Sequence, residues 1–142
     1  MSDRKLELDD YPLAETRPGE VRGARGLSLD DITLDAVMAG DVSMEDLRIT
    51  SRALKQQAEI AQAAERPALA ANFLRAAELT GVPQEVIMAT YELLRPGRAP
   101  DKQVMMDAAH RLRNEFAAER MARFVEEAAD VYDRRGLFTS RY

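Results

Sequence analysis

The chain has 142 residues, a formal net charge of −5 and no cysteine. Its length fits one domain. The negative charge argues against nucleic-acid binding, which needs concentrated Lys and Arg. Without cysteine, disulfides, thiolate catalysis and cysteine-based zinc sites are excluded. The start of the chain is too charged for a signal peptide, and no apolar run approaches the ~20 residues that span a bilayer, so we expect a cytoplasmic protein without membrane contact.

Residues 1–28 are the least regular part of the sequence and predict an extended N-terminal arm. Within them, Tyr11, Pro12 and Leu13 form an apolar island in a charged segment, and Pro12 favours an extended backbone. Two interpretations stay open. The arm is either a mobile, solvated tail or a segment that lies on a partner and inserts Tyr11 and Leu13 into pockets.

Two short helices are expected next. Thr33 is the predicted N-cap of the first, and Gly40 closes it. Three residues of this helix are expected to face inward: Leu34, Val37 and Met38. Ser43 caps the second, with Asp46 at the capping-box position. The acidic residues here do not follow the spacing of a calcium loop, so we assign them to capping and solubility.

A helix from Thr50 to about Ala64 follows, with an apolar seam formed by Leu54, Ala58 and Ala61. Pro67 suits the first turn of the helix after it. The spacing then predicts two helices between residues 69 and 96, hinged at residues 80–83. Leu69, Phe73, Ala76, Ala77 and Thr80 form the apolar face of the first, and Ile87, Tyr91 and Leu94 that of the second.

A second, polar stripe on the first of these helices consists of Asn72, Arg75 and Glu78, which recur three residues apart. It is either a solvated face or a hydrogen-bonding face against a partner, since Arg and Asn give directional contacts. Arg95 belongs to the same question. Its side chain is placed either to bond free carbonyls at the helix end or to reach across an interface.

The last third of the sequence predicts a long helical run from residue 101 to about Arg135, ended by Gly136 and with a joint near residues 117–120. Glu119 and Arg123 have the favourable order for an i,i+4 ion pair. No segment alternates with period two. The fold class is therefore all-α, an irregular small helical domain with no sheet. The predicted divisions are the arm at 1–28, the helical domain at 29–136 and a C-terminal tail at 137–142.

The residues show no recognisable active site. His110 is the only histidine, and no Ser or paired acid is arranged with it for catalysis. Glu126 and Glu127 are adjacent, so on a helix they point about 100° apart and do not form a facing carboxylate pair. We expect no catalytic, cofactor-binding or metal-binding residue in this chain.

The sequence resembles the small (gamma) subunit of adenosylcobalamin-dependent diol dehydratase and glycerol dehydratase. The landmarks occur in order over residues 10–135: Asp10 to Ala14, Leu29 to Leu34 with Val37, Arg48 to Thr50, Gln57-Ala58 with Ile60-Ala61, Asn72-Phe73, Arg75 to Leu79, Val82-Pro83, Tyr91, Leu94 to Pro96, Phe124-Val125, Glu127-Ala128 and Tyr132. Four positions depart from the family pattern. Gly97 replaces an aromatic residue, Thr90 an aliphatic one, Arg123 a small one and Glu126 a basic one.

The resemblance implies a non-catalytic subunit in a complex of large, medium and small chains, two of each. The large subunit would be a TIM barrel that holds substrate and a metal ion, and adenosylcobalamin would lie between the large and medium subunits. The complex would convert 1,2-propanediol or glycerol to an aldehyde and water by a radical route, in the cytoplasm or within a bacterial microcompartment. Only nine residues precede the first landmark, which favours a form without a long N-terminal extension.

The residues expected at a subunit interface are Tyr11, Pro12, Leu13, Asn72, Arg75, Glu78, Tyr91 and Arg95. The arm is expected to dock on the large subunit, because its apolar cluster has no predicted helix of its own to bury it. The alternative function is a stand-alone helical adaptor that binds some other protein.

Overall fold

The computed structural model describes residues 4–138, and within that range the chain is all-α, as predicted. The helices are α1 (Leu13–Thr16), α2 (Leu34–Ala39), α3 (Met44–Leu47), α4 (Ser51–Ala63), α5 (Pro67–Leu79), α6 (Gln84–Leu94), α7 (Lys102–Phe116) and α8 (Glu119–Arg134). Three 3-10 turns lie at Leu8–Asp10, Pro18–Glu20 and Leu29–Asp31. The described residues form no strand, and one isolated bridge joins Arg22 to Ser28.

The chain divides into two compact units, which meet in sequence between Thr80 and Gly81. That point lies in the hinge predicted at residues 80–83, between the end of α5 and the start of α6. The predicted divisions at residues 28 and 136 stay a prediction. Residues 1–3 of the arm and 139–142 of the tail lie outside the described residues.

The core of the first unit lies between α4 and α5. Ala58 and Ala61 of α4 and Ala70 of α5 are buried together, and three larger side chains pack partly buried against them: Leu69, Phe73 and Leu74. Small residues on both helices let their backbones approach closely. The predicted α4 seam is therefore confirmed. On α5 the predicted face was partly wrong, because Ala70 is buried while Thr80 is exposed.

Local capping fixes the helix ends where the sequence predicted it. The Thr33 hydroxyl accepts a hydrogen bond from the Ala36 N–H at 3.1 Å, and Thr50 caps α4 in the same way through the Ala53 N–H at 3.0 Å. Gly40 closes α2 with φ +84°, a backbone conformation that glycine adopts without steric cost. These caps satisfy backbone groups that a short helix leaves without intrahelical partners.

In the second unit, α7 and α8 pack against each other as a helical hairpin. The predicted joint is confirmed: α7 ends at Phe116, and Ala117 turns the chain with φ +52°. The buried side chains of the pair are Met105, Ala109, Leu112, Met121, Ala122, Val125 and Ala129. Phe124, on the opposite side of α8 from Ala122, is exposed at the surface of the hairpin.

Helix α6 buries Val86 and Thr90 rather than the predicted face. Tyr91, expected on the apolar side, is 59% exposed. Thr90 is buried, and its hydroxyl donates to the Val86 carbonyl at 2.8 Å. A buried hydroxyl costs little once it is hydrogen-bonded. The Tyr132 hydroxyl of α8 donates to the Leu94 carbonyl, so it binds the end of α6.

An ion-pair network connects α7 and α8 on the surface of the hairpin. Arg113 donates to Glu119 at 2.6 Å and to both carboxylate oxygens of Glu126 at 2.7 and 3.0 Å. Glu119 also accepts from Arg123 at 3.0 Å, which confirms that predicted i,i+4 pair. Hydrogen bonds from Arg113 hold the pKa of Glu119 below its ordinary value. Arg123 and Glu126 therefore belong to one ion-pair network, in which Glu119 and Arg113 connect them.

Candidate interaction surface

The N-terminal arm folds around one carboxylate. Asp10 is buried, and it accepts hydrogen bonds from the Glu7 N–H at 2.8 Å and from Arg4 at 3.0 and 3.1 Å. Arg17 forms an ion pair with it at 2.9 Å. The Glu7 hydrogen bond and these two guanidinium groups hold the pKa of Asp10 below its ordinary value. Asp10 therefore organises an arm that the sequence predicted to be extended and irregular, and that instead contains short helical turns.

The arm is attached to α4. Leu6 is buried, and its N–H donates to the Glu59 carboxylate at 2.9 Å. Sequence reasoning missed both Leu6 and Asp10. The signal for Asp10 was the placement of Arg4 and Arg17 on either side of it. No local signal links Leu6 to Glu59, because they are 53 residues apart.

The predicted island lies at the surface of this folded arm. Tyr11 is 67% exposed, whereas Pro12 and Leu13 are partly buried. All three line a hollow of about 600 Å³ together with residues of α4. Tyr11 also lines a second hollow of about 400 Å³, whose wall includes Leu69 and Phe73 of α5. The structure thus brings the island beside α4 and α5 and leaves the ring of Tyr11 accessible.

The predicted polar stripe lies on α5 of the same unit. Asn72 is exposed and accepts a hydrogen bond from Arg75 at 3.1 Å. Arg75 and Glu78 are partly buried. The stripe is thus ordered by contacts within the chain, and Asn72 presents its remaining hydrogen-bonding capacity to the surface.

Tyr91 and Arg95 belong to the second unit. Tyr91 lies exposed on α6 near another exposed side chain, Met88. Arg95 forms an ion pair with Glu92 at 3.1 Å, and Arg98 approaches the same carboxylate at 3.6 Å. These exposed pairs contribute little to stability. The exposed surface of α6 is therefore amphipathic. It carries Tyr91 and Met88 together with the Glu92–Arg95 ion pair at the end of the helix.

Seven of the thirteen large apolar side chains that are exposed among the described residues lie within residues 29–49, contrary to expectation. Leu34, Val37 and Met38 were predicted to face inward, and all three are exposed. The prediction was wrong because helical periodicity identifies an apolar face without saying what covers it. Four further apolar side chains of the segment are also exposed: Leu29, Met44, Leu47 and Ile49.

The backbone of this segment is held by an ion pair between the buried carboxylate of Asp46 and the half-exposed Arg25. Asp46 completes a capping box with Ser43 at the start of α3, as predicted. Its carboxylate also pairs with the Arg25 guanidinium, which donates from Nε at 2.8 Å. Arg25 additionally donates to the Asp41 carbonyl at 2.9 Å. The hydrogen bonds from Arg25 and Ser43 lower the pKa of Asp46 to about 2.

This pair predicts an acid-sensitive contribution to stability. The folded pKa of Asp46 lies below its ordinary 3.8, so the contribution is present above that value and is lost as pH falls towards 2. Asp46→Asn should lower the melting temperature at pH 7 and flatten its decline between about pH 4 and pH 2. Thermal unfolding followed by circular dichroism across this range measures both effects.

The exposed Glu127→Gln on α8 is the matched control for this experiment, since it also removes one carboxylate. It should leave the melting temperature nearly unchanged at pH 7. A melting curve for Asp46→Asn that matches the original chain at every pH would contradict a stabilising role for the pair.

No group of three or more His, Asp or Glu side chains within residues 4–138 is placed to hold a metal ion. His110 is exposed on α7. None of the helices in the described part of the chain is both long and apolar enough to cross a bilayer.

Comparison with known proteins identifies the class. A family model described as dehydratase small subunit matches residues 6–139, and the chain belongs to that family. It is 44% identical over 129 residues to the propanediol dehydratase small subunit of Salmonella typhimurium strain LT2, covering 91% of this chain and 74% of that protein. It is 46% identical over 126 residues to the propanediol dehydratase small subunit of Citrobacter freundii, covering 89% and 73%.

Proposed function

We propose that this chain is the non-catalytic small subunit of a coenzyme B12-dependent dehydratase that acts on 1,2-propanediol or glycerol. The complex would release water and the corresponding aldehyde, propanal or 3-hydroxypropanal. The observation that carries the proposal is the identity of 44–46% to two propanediol dehydratase small subunits over about nine-tenths of the chain. The exposed apolar and aromatic side chains of both units support a role in assembly.

The partners in this proposal are a large and a medium subunit, two copies of each chain being present in the complex. Adenosylcobalamin would be held by the large and medium subunits and would supply the radical chemistry there. We expect this chain itself to hold none of the cofactor. Its single histidine, His110, lies exposed in the second unit, whereas the 600 Å³ hollow lies in the first. That hollow has no imidazole to bind a metal.

The contribution of this chain is then structural. The arm presents Tyr11 beside the α4 hollow, and the Asn72 stripe of the same unit offers directional hydrogen bonds. In the second unit, the α6 surface offers Tyr91 and Arg95. We place the complex in the cytoplasm, free or packaged in a microcompartment.

Reconstitution tests the proposal. The chain is co-expressed with a large and a medium dehydratase subunit from the same source, and aldehyde formation is measured from 1,2-propanediol and from glycerol with added adenosylcobalamin. We expect activity with all three chains and none from this chain alone. Turnover by the isolated chain, or failure of the three chains to form a complex, would overturn the proposal.

The arm gives a prediction within this framework. Tyr11→Ser should weaken co-purification with the large subunit by about tenfold, because an exposed aromatic anchor would be lost. The folded chain should be unaffected, since Tyr11 is 67% exposed. Pull-down with a tagged large subunit at several concentrations measures the effect. Replacing another aromatic residue such as Phe138 would not be a suitable control, because the ring of Phe138 packs against Tyr132 within the chain. Tyr11→Phe is the suitable control, since it keeps the ring, and it should bind normally.

A further inference from the structure

The segment at residues 29–49 has very little core of its own. Val42 and Asp46 are buried, and its other residues are exposed or partly buried. A hollow of about 270 Å³ lies where the segment meets the start of α4, so apolar packing does not fill that space. Helices of six and four residues, such as α2 and α3, are too short to be stable alone. The segment therefore needs another source of order.

One arginine holds both helices of the segment. The Asp46 side chain is fully buried, and it pairs with the Arg25 guanidinium, which is 46% exposed. Arg25 donates to Asp46 from Nε at 2.8 Å and also donates to the Asp41 carbonyl at 2.9 Å. The Asp41 N–H in turn donates to the Ala36 carbonyl of α2 at 2.9 Å. Arg25 therefore connects the end of α2 to the start of α3.

The loop that carries Arg25 lies directly against α3. Within residues 22–28 the Gly23 N–H donates to the Leu27 carbonyl at 3.0 Å, which closes the loop on itself. A Cβ atom at Gly23 would lie 3.0 Å from the backbone carbonyl oxygen of Asp46, closer than side chains ordinarily approach. Glycine at this position therefore permits the close contact that places Arg25 beside Asp46.

The packing of α4 on α5 is separate from this segment. Its buried cluster consists of Ala58, Ala61 and Ala70, and the side chains packed against it also belong to α5. Proteins open locally, at a lower free energy than global unfolding, where few apolar side chains are buried. The 29–49 segment meets that condition, and the cluster between α4 and α5 can stay intact when the segment opens.

We infer that the 29–49 segment is a conformational switch, which opens and closes as one unit while α4 and α5 stay folded and which the Arg25–Asp46 ion pair holds closed. Without Arg25 the Asp46 carboxylate is buried without its cation, which is unfavourable. The same carboxylate completes the capping box of α3, so its release also ends that helix. The inference does not depend on the proposed function, since it concerns the free chain.

Arg25→Gln in the full chain tests the role of the ion pair. Hydrogen–deuterium exchange is followed at the Val37 and Asp46 N–H groups, which are hydrogen-bonded within the segment, one in each helix. Both should exchange at least about tenfold faster, and by the same factor, because they are exposed by one opening. The amides in the interior of α4 and α5 should keep their rates.

Arg17→Gln is the matched control for Arg25→Gln. Arg17 also pairs with a buried aspartate, Asp10, at 2.9 Å, but this pair lies within the arm. The control variant loses the same type of contact and the same charge. It should leave the exchange rates of the 29–49 segment unchanged.

Gly23→Ala is a second variant, which keeps both charges of the ion pair. Its new methyl group would lie 3.0 Å from the Asp46 carbonyl oxygen, so the loop has to shift away from α3 and Arg25 shifts with it. Exchange in the 29–49 segment should become several-fold faster. Gly19→Ala adds the same methyl group where there is open space, and it should leave the exchange rates unchanged.

Three results would overturn the inference. Unchanged exchange in Arg25→Gln would show that the ion pair does not hold the segment closed. Faster exchange at Asp46 but not at Val37 would show that α2 and α3 open separately. Equal acceleration in α4 and α5 would show that the first unit opens only as a whole. Each result leaves the proposed function standing, since reconstitution with the other subunits tests that function.

Discussion

Leu112→Ala is expected to lower the free energy of unfolding by about 2–5 kcal/mol. Leu112 is 1% exposed on α7 in a region where Met105 and Val125 are also fully buried. Removing its side chain loses the transfer free energy of the deleted atoms and leaves a cavity between α7 and α8 that the well-packed hairpin fills only in part. Urea denaturation followed by circular dichroism measures the change.

Leu34→Ala provides the matched control for Leu112→Ala, since it is the same substitution at a 76% exposed position. In the free chain it should change the free energy of unfolding by less than about 0.5 kcal/mol. Equal effects of the two variants would show that the α7–α8 contact is not a packed core.

Ala70→Leu is expected to destabilise the first unit by about 1–3 kcal/mol, through excess volume rather than a cavity. Ala70 is 4% exposed, and it packs against Ala58 and Ala61 where α4 and α5 approach closely. A leucine there has to displace a helix or adopt a strained rotamer. The same substitution at Ala68, an exposed residue two positions earlier on α5, should be nearly neutral.

The measurement for Ala70→Leu is the midpoint of urea unfolding, compared with Ala68→Leu under the same conditions. Both variants gain the same side chain on the same helix, so differences in intrinsic helix propensity cancel. An unchanged midpoint for Ala70→Leu would contradict close packing of α4 on α5.

Much of the fold follows from local signals in the sequence. Helix ends were predicted where a side chain or glycine acts on its own neighbours, as at Thr33, Gly40 and Thr50. The joint near Ala117 was visible as a gap in the apolar pattern of a long helical run. Such features depend on residues a few positions apart, and the sequence alone specifies them.

The faces of the helices were harder to predict, because burial depends on what lies opposite. The apolar side of α2 is exposed, and on α6 Tyr91 is exposed while Thr90 is buried. A polar residue such as Thr90 is not counted as an apolar position when a helix face is predicted. It can be buried here because its hydroxyl donates a hydrogen bond to the backbone carbonyl four residues earlier. The contact of Leu6 with Glu59 joins distant segments and has no local signature.

The candidate surface was predicted in part. The island around Tyr11 was recognised as unpaired apolar residues outside any predicted helix, and the structure keeps Tyr11 exposed. The exposed apolar side chains of residues 29–49 were missed, because Leu34, Val37 and Met38 were predicted to face inward and the others were assigned to no surface. An amphipathic helix has the same pattern whether its apolar face is covered by its own chain or by another.

The Leu6–Glu59 contact has a consequence for the order of events during synthesis. At about 5–20 residues per second, the ribosome adds the 53 residues that separate this pair in roughly 3–10 s. Throughout that interval the N-terminal arm has emerged without the α4 residues that anchor it. The α7–α8 hairpin, whose Arg113–Glu126 contact spans 13 residues, can close almost as soon as it leaves the exit tunnel. The nascent arm therefore waits longer for its anchor than α7 waits for α8, and it is exposed to other chains during that time.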